Sequence, residues 1–121
     1  MERVLIIDDE KNILTTLGRA IEIEGYEVST ALTAQRGLAL VDSFQPDMVL
    51  LDLKLPDLSG LDVLQKIKSA PRSPAVVMIS AHGSIDSAVQ ATRLGAVDFL
   101  EKPVDMDRVL LTIRNSLKIA S

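Results

Sequence analysis

At 121 residues the chain has the length of one domain, long enough to bury a core without disulfide or metal staples. Its 47% hydrophobic and 25% charged content argues against disorder, and a net charge of −4 with scattered basic residues argues against binding a nucleic-acid backbone. Cysteine is absent, which removes disulfides, thiolate nucleophiles and thiolate metal sites. No apolar run approaches the ~20 residues of a membrane helix, and Met1-Glu2-Arg3 leads into too short a run for a signal peptide, so a cytoplasmic location without membrane contact is expected.

The first apolar run, residues 4–7, reads as a strand and ends on Asp8 and Asp9. Ile13, Leu14, Leu17 and Ile21 follow at helical spacing, and Gly25 closes that helix. A second strand is predicted over 26–31. Thr33 then caps a helix carrying Leu38, Val41 and Phe44. A third strand, 48–51, ends on Asp52, and Ser59 with Asp62 reads as a capping box for a helix bearing Leu61, Leu64 and Ile67. After a loop over 69–74, the fourth strand, 75–79, ends on Ser80. Ser84 opens a fourth helix whose stripe is only Ile85, Ala88, Val89 and Thr92, so this helix is expected to be the loosest and a candidate moving part. Gly95 closes it. The fifth strand, 97–100, runs through Glu101 to Lys102 and Pro103, and Asp105 opens a last helix with Met106, Val109, Ile113 and Leu117. Consecutive apolar positions mean strands covered on both faces, so the fold class is α/β: (βα)5, a doubly wound parallel sheet with helices on both sides.

This order places Asp8, Asp9, Asp52 and Lys102 at strand ends, where open α/β sheets bind ligands. If the first and third strands are neighbours, three carboxylates crowd together. Two of them ~5 Å apart at an effective dielectric near 20 repel by roughly 3 kcal/mol, and three approach 10 kcal/mol. Lys102 offsets part of this, and a hard divalent cation, Mg2+ before Ca2+, is the natural remainder. Capping of the next helix, near Glu10, explains one of the two adjacent aspartates but not both. Asp52, ending a very apolar strand, suits a nucleophile toward phosphorus, with the opening of the turn through Asp57 as the plain alternative. Ser80 is a hydrogen-bond donor to a phosphoryl oxygen, or a turn residue. Pro103 permits a cis bond that would aim Lys102 inward. No GxxxxGK or GxGxxG loop occurs, and the loop that would cradle a phosphate after the first strand is acidic, so a nucleotide or flavin would be repelled.

The set Asp8-Asp9, Asp52 with Pro56 and Gly60, Ser80-Ala81, and Lys102-Pro103 strongly resembles the receiver (CheY-like) domain of two-component response regulators, over the whole chain, 1–121. The stretches Ser80-Ala81-His82-Gly83 and Ala96 to Pro103 further resemble receivers of NtrC-type, sigma-54-dependent transcriptional activators. The resemblance implies a flavodoxin-like sheet of strand order 2-1-3-4-5. It implies that Asp52 accepts a phosphoryl group from a sensor histidine kinase or a small acyl phosphate. Mg2+ would be held by Asp9, Asp52 and the Lys54 backbone carbonyl, with Asp8 acting through water, while Lys102 and Ser80 would hold phosphoryl oxygens. Phe99 would turn inward as Ser80 moves, switching the surface of the fourth helix, fifth strand and fifth helix. Lys54 and His82, two residues beyond Asp52 and Ser80, would tune the lifetime of the aspartyl phosphate.

A Mg2+-dependent phosphatase of the haloacid dehalogenase type also uses a strand-end Asp, but needs a carboxylate two residues on, where this chain has Lys54. A receiver-like module that forgoes phosphorylation would have lost Asp52, Lys102 or the acidic pair, and all are present. An output domain, in the same or a separate protein, is the expected partner of the switch, and the subgroup resemblance favours a piece of a larger regulator. Leu110, Leu117 and Ile119 offer a possible homodimer contact.

Overall fold

The computed structural model describes the backbone of residues 1–120 and the side chains of residues 1–118. Strands and helices alternate: β1 (Arg3–Ile7), α1 (Lys11–Ile23), β2 (Glu27–Ala31), α2 (Ala34–Phe44), β3 (Met48–Asp52), α3 (Gly60–Lys68), β4 (Ala75–Ser80), α4 (Ile85–Arg93), β5 (Asp98–Glu101) and α5 (Met106–Ala120). The sheet order is β2-β1-β3-β4-β5 and every pairing is parallel.

The strands are apolar at consecutive positions because each face has its own helix layer. Val4, Ile6, Leu50, Val77 and Ile79 pack with Leu14, Leu17 and Ile21 of α1 and Val109 and Ile113 of α5. The alternate residues Leu5, Ile7, Val49, Leu51, Val76 and Met78 pack with Val63, Leu64 and Ile67 of α3, Ala34 of α2 and Ala91 of α4. Burial of residues 4–7 of β1 and of all of β3 leaves the polar residues that end them, Asp8 and Asp52, only one place to go: the carboxyl edge of the sheet. Register puts Ile7 beside Leu51 and Asp52 beside Ile79. Strand order reverses at β1, so the crevice between the ends of β1 and β3 is the ligand-binding switch point of such a sheet.

Helix starts follow the expected signals at three places. Thr33 Oγ1 accepts from Arg36 N–H at 3.1 Å, and Asp105 Oδ1 accepts from Asp107 N–H at 3.2 Å. Ser84 and Ser87 form a full reciprocal box, with bonds of 3.1 and 2.8 Å. Ser59 caps α3 through Leu61 N–H at 3.2 Å, but Asp62 returns no bond, so the expected box is half made. Gly25 and Gly95 take positive φ at the ends of α1 and α4.

Two expectations about the helices meet different fates. Leu117 is buried in the core and is not available for a dimer contact, Leu110 is half-buried against the core, and Ile119 lies outside the residues whose side chains are described. The reason is geometric: Leu117 shares the inward stripe of α5 with Val109 and Ile113. The weak stripe of α4 holds. Ala91 is its one fully buried residue, while Ile85 is 83% exposed and Val89 is also exposed. A helix so lightly anchored opens at low free-energy cost. Hydrogen exchange followed residue by residue is therefore expected to show α4 amides as the least protected of the five helices; protection in α4 equal to that in α1 or α3 would contradict this.

Candidate functional site

Asp8 follows β1 directly and is fully buried. Its backbone N–H bonds to Ala31 O at 3.0 Å, continuing the ladder to β2, and its Oδ1 accepts from Glu10 N–H at 2.9 Å. One oxygen of Asp8 thus closes a turn onto the amide of Glu10, the residue before α1, and the expected capping is not made, since α1 has no side-chain cap. The second oxygen, Oδ2, lies 2.9 Å from Lys102 Nζ, in a close ionic contact without hydrogen-bond alignment. Asp52, the last residue of β3, is 4% exposed, and its Oδ2 is 3.5 Å from the same ammonium. Glu10 Oε1 completes the group at 3.1 Å. Lys102 is held in place from the neighbouring strand: its N–H bonds to Ser80 O at 2.8 Å, and the Lys102–Pro103 peptide is cis.

One cation faces three carboxylates. Burial and the neighbouring Asp8 charge push Asp52 up to about 6, although Lys102 and the backbone N–H of Lys54 pull the other way. Burial also works against the Lys102 ammonium, but its contacts with Asp8 and Glu10 and the charge of Asp52 hold it above the ordinary lysine value. Asp8, Asp9 and Glu10 each offer an oxygen within 4.8 Å of the others. Hard oxygen donors, and a buried Asp8 Oδ2 with spare acceptor capacity, fit a small divalent cation.

The remaining predicted residues surround this group. Ser80, the last residue of β4, is buried, and its Oγ accepts from His82 N–H at 3.0 Å, so it does serve the turn. Its own hydroxyl proton remains free to point elsewhere. The side chains of His82 and Lys54 are exposed at the rim. The Phe99 ring lies over Gly83 so closely that a Cβ there would come within 2.6 Å of it, with Ser80 Cβ 3.6 Å from the same point. Gly60, at the start of α3, sits against the Asp52 carbonyl and the Leu53 backbone with no room for a Cβ, and its N–H bonds to Leu53 O at 2.7 Å. Two residues have roles that no local sequence pattern signals: Glu10, at the start of α1, pairs with Lys102, and the Asp57 carboxylate accepts from Ala34 N–H and Gln35 N–H at 2.8 and 2.9 Å.

The sequence matches the response regulator receiver domain family over residues 4–114. This chain belongs to that family. Receivers are the phosphorylation-dependent switches of two-component signalling. Its relatives include regulatory proteins: it is 39% identical to the alginate biosynthesis transcriptional regulatory protein AlgB of Pseudomonas aeruginosa over 117 residues, 97% of this chain and 26% of AlgB. The chain spans about a quarter of the length of the curated relatives it matches. A CheY-like receiver domain protein of Methanospirillum hungatei superposes with a TM-score of 0.95 at 32% identity, covering 99% of this chain and 96% of that one. The beryllofluoride-activated NtrC4 receiver domain dimer gives 0.94 at 37% identity, with both chains covered in full (100%). Among the described residues no helix is long and apolar enough to cross a membrane.

The electrostatics of this receiver have a measurable sign. Because the folded-state pKa of Asp52 is raised from 3.8 to about 6, the folded state binds the extra proton between those values, and stability falls as pH rises through that window. Asp52→Asn cannot ionise and escapes the loss. In EDTA at pH 7.5 the variant is expected to be more stable than wild type by about 2 kcal/mol, the gap closing toward pH 4. Urea unfolding across that range checks it; a variant less stable than wild type at pH 7.5 would contradict the charge balance described.

Proposed function

We propose that Asp52 of this receiver accepts a phosphoryl group from a phosphohistidine on a sensor histidine kinase, or from a small acyl phosphate, and that the product biases an output. The observation that carries this reading is the convergence of Lys102 on Asp8 and Asp52 at the switch point of the sheet. With a pKa of about 6, Asp52 is ionised at neutral pH and remains a nucleophile. Its carboxylate oxygen bonds to phosphorus as the donor bond breaks and the donor leaves with the electron pair. Lys102 Nζ takes one phosphoryl oxygen and the Ser80 hydroxyl donates to another. Asp8, Asp9, Asp52 and the Lys54 carbonyl would hold Mg2+, which when bound neutralises charge on the transferring group. Positioning and neutralisation are most of what phosphoryl transfer needs.

The aspartyl phosphate carries more charge and more acceptors than the carboxylate it replaces, so it draws Ser80 and Lys102 toward it. Phe99, packed over Gly83 beside Ser80, turns inward as Ser80 moves, and the lightly anchored α4 responds. Exposed Ile85, Val89, Val97 and Leu111 lie on α4, just before β5, and on α5, the surface that would be read by an output domain, by a second copy of the chain, or by both. Lys54 and His82, at the rim, set the lifetime of the phosphorylated state by flanking the path of attacking water. In this reading residues 1–121 form one receiver unit of a cytoplasmic transcriptional regulator, and the only reactions it promotes are its own phosphorylation and dephosphorylation.

Incubation with acetyl phosphate and Mg2+, followed by intact-mass spectrometry, tests the reading. Wild type is expected to gain one phosphoryl group and stop there, and Asp52→Asn to gain none. Equal labelling of the two, or continued turnover of generic phosphate esters, would overturn it.

A further inference from the structure

Asp57 stands five residues beyond Asp52, at the far side of the loop that joins β3 to α3. Both of its carboxylate oxygens reach out of the loop: Oδ1 accepts from Ala34 N–H at 2.8 Å and Oδ2 from Gln35 N–H at 2.9 Å, the first two residues of α2. At its base the same loop closes on itself, through Gly60 N–H to Leu53 O at 2.7 Å and a bridge between Lys54 and Ser59. The loop is therefore a short closed unit fixed at one end to β3 and at the other to α2. Charge supports the arrangement, since the two amides hold the Asp57 carboxyl below the ordinary aspartate value.

The helix receiving this tether is seated on the other acid-bearing strand. Gly37 of α2 packs against Ile7, with room for no Cβ between them, and Ile7 is the residue before Asp8 and Asp9. Thus α2 touches the end of β1 from one side and holds the loop after β3 from the other. We propose that Asp57 is a positioning residue: through α2 it fixes where the Asp52 loop stands relative to Asp8 and Asp9, and so sets the affinity of the acidic site for a divalent cation. This rests on the reading of that site given above. Asp57 touches neither phosphorus nor metal.

A second cap at the same helix end separates positioning from simple helix stability. Thr33 Oγ1 accepts from Arg36 N–H and has no bond to the loop. Asp57→Ala and Thr33→Ala each loosen the start of α2, but only the first releases the loop. Two readouts are used: amide exchange of Gly60 in metal-free protein, and Mg2+ affinity by isothermal titration calorimetry. Asp57→Ala is expected to exchange about tenfold faster at Gly60 and to bind Mg2+ about tenfold more weakly, as loss of hydrogen bonds to a charged acceptor implies. Asp57→Asn, which keeps two heavy atoms but only one acceptor, is expected to fall between, and it replaces the alanine variant if that fails to fold. Thr33→Ala should leave both quantities within about twofold of wild type, because its single neutral bond lies outside the loop. Wild-type values in the Asp57 variants, or equal changes in the Thr33 variant, would overturn the proposal. Failure of wild type to bind Mg2+ would instead overturn the reading of the acidic site, while Gly60 exchange would still decide whether Asp57 tethers the loop.

Discussion

A single lysine ammonium set among three carboxylates is the interaction on which the rest of this molecule turns. Lys102 approaches Asp8, Glu10 and Asp52 at 2.9, 3.1 and 3.5 Å, with its side chain only 9% exposed. Asp8 and Asp52 are buried while Glu10 stands half exposed at the rim, and burial together with the Asp8 charge delays the ionisation of Asp52 to about pH 6 despite the single ammonium. Folding does not remove this excess. It creates it, because the strands that deliver the aspartates are buried on both faces and end at the same edge. The cost in stability and the capacity we propose for this site, to receive a phosphoryl group and a cation, are two consequences of one arrangement.

The sheet places these groups and the loops aim them. Register between β1 and β3 sets Asp8 near Asp52, and the bond from Lys102 N–H to Ser80 O fixes the cation from the other side. Gly60 lets α3 begin directly against the Asp52 carbonyl, which keeps the loop between them short. On the opposite flank the molecule is built to yield. Helix α4 buries Ala91 and little else, and Phe99, half-buried against the core on that side, lies closely over Gly83. A largely buried acidic site joined to a lightly held helix is the combination the proposed phosphorylation switch requires.

What could be read from the residues alone follows the range of the interactions. Periodicity within four to seven residues gave the five strands and five helices, and strand-end position gave Asp8, Asp52, Ser80 and Lys102. Local caps at Thr33, Ser84 and Asp105 were legible for the same reason. At Ser59 only the half of the box made by the serine itself forms. Asp57 could not be found because its partners lie 22 and 23 residues earlier, across a turn whose path no local pattern encodes. Glu10 was visible as an acid but not as a partner of Lys102, 92 residues away. The late apolar residues of α5 look the same in sequence whether they face a partner or the core, and packing against α1 and the sheet decided for the core at Leu117.

Excess negative charge gathered at the sheet edge is the central claim, and thermal unfolding of the wild-type chain in EDTA and in millimolar Mg2+, at matched ionic strength, tests it most directly. At pH 7.5 the account predicts a melting temperature about 5 °C higher with Mg2+, the size expected for a ligand present well above its dissociation constant. At pH 5, where Asp52 is largely protonated, the increment should shrink. A melting temperature indifferent to Mg2+ at pH 7.5 would mean that Lys102 already balances the site, and the account would be contradicted.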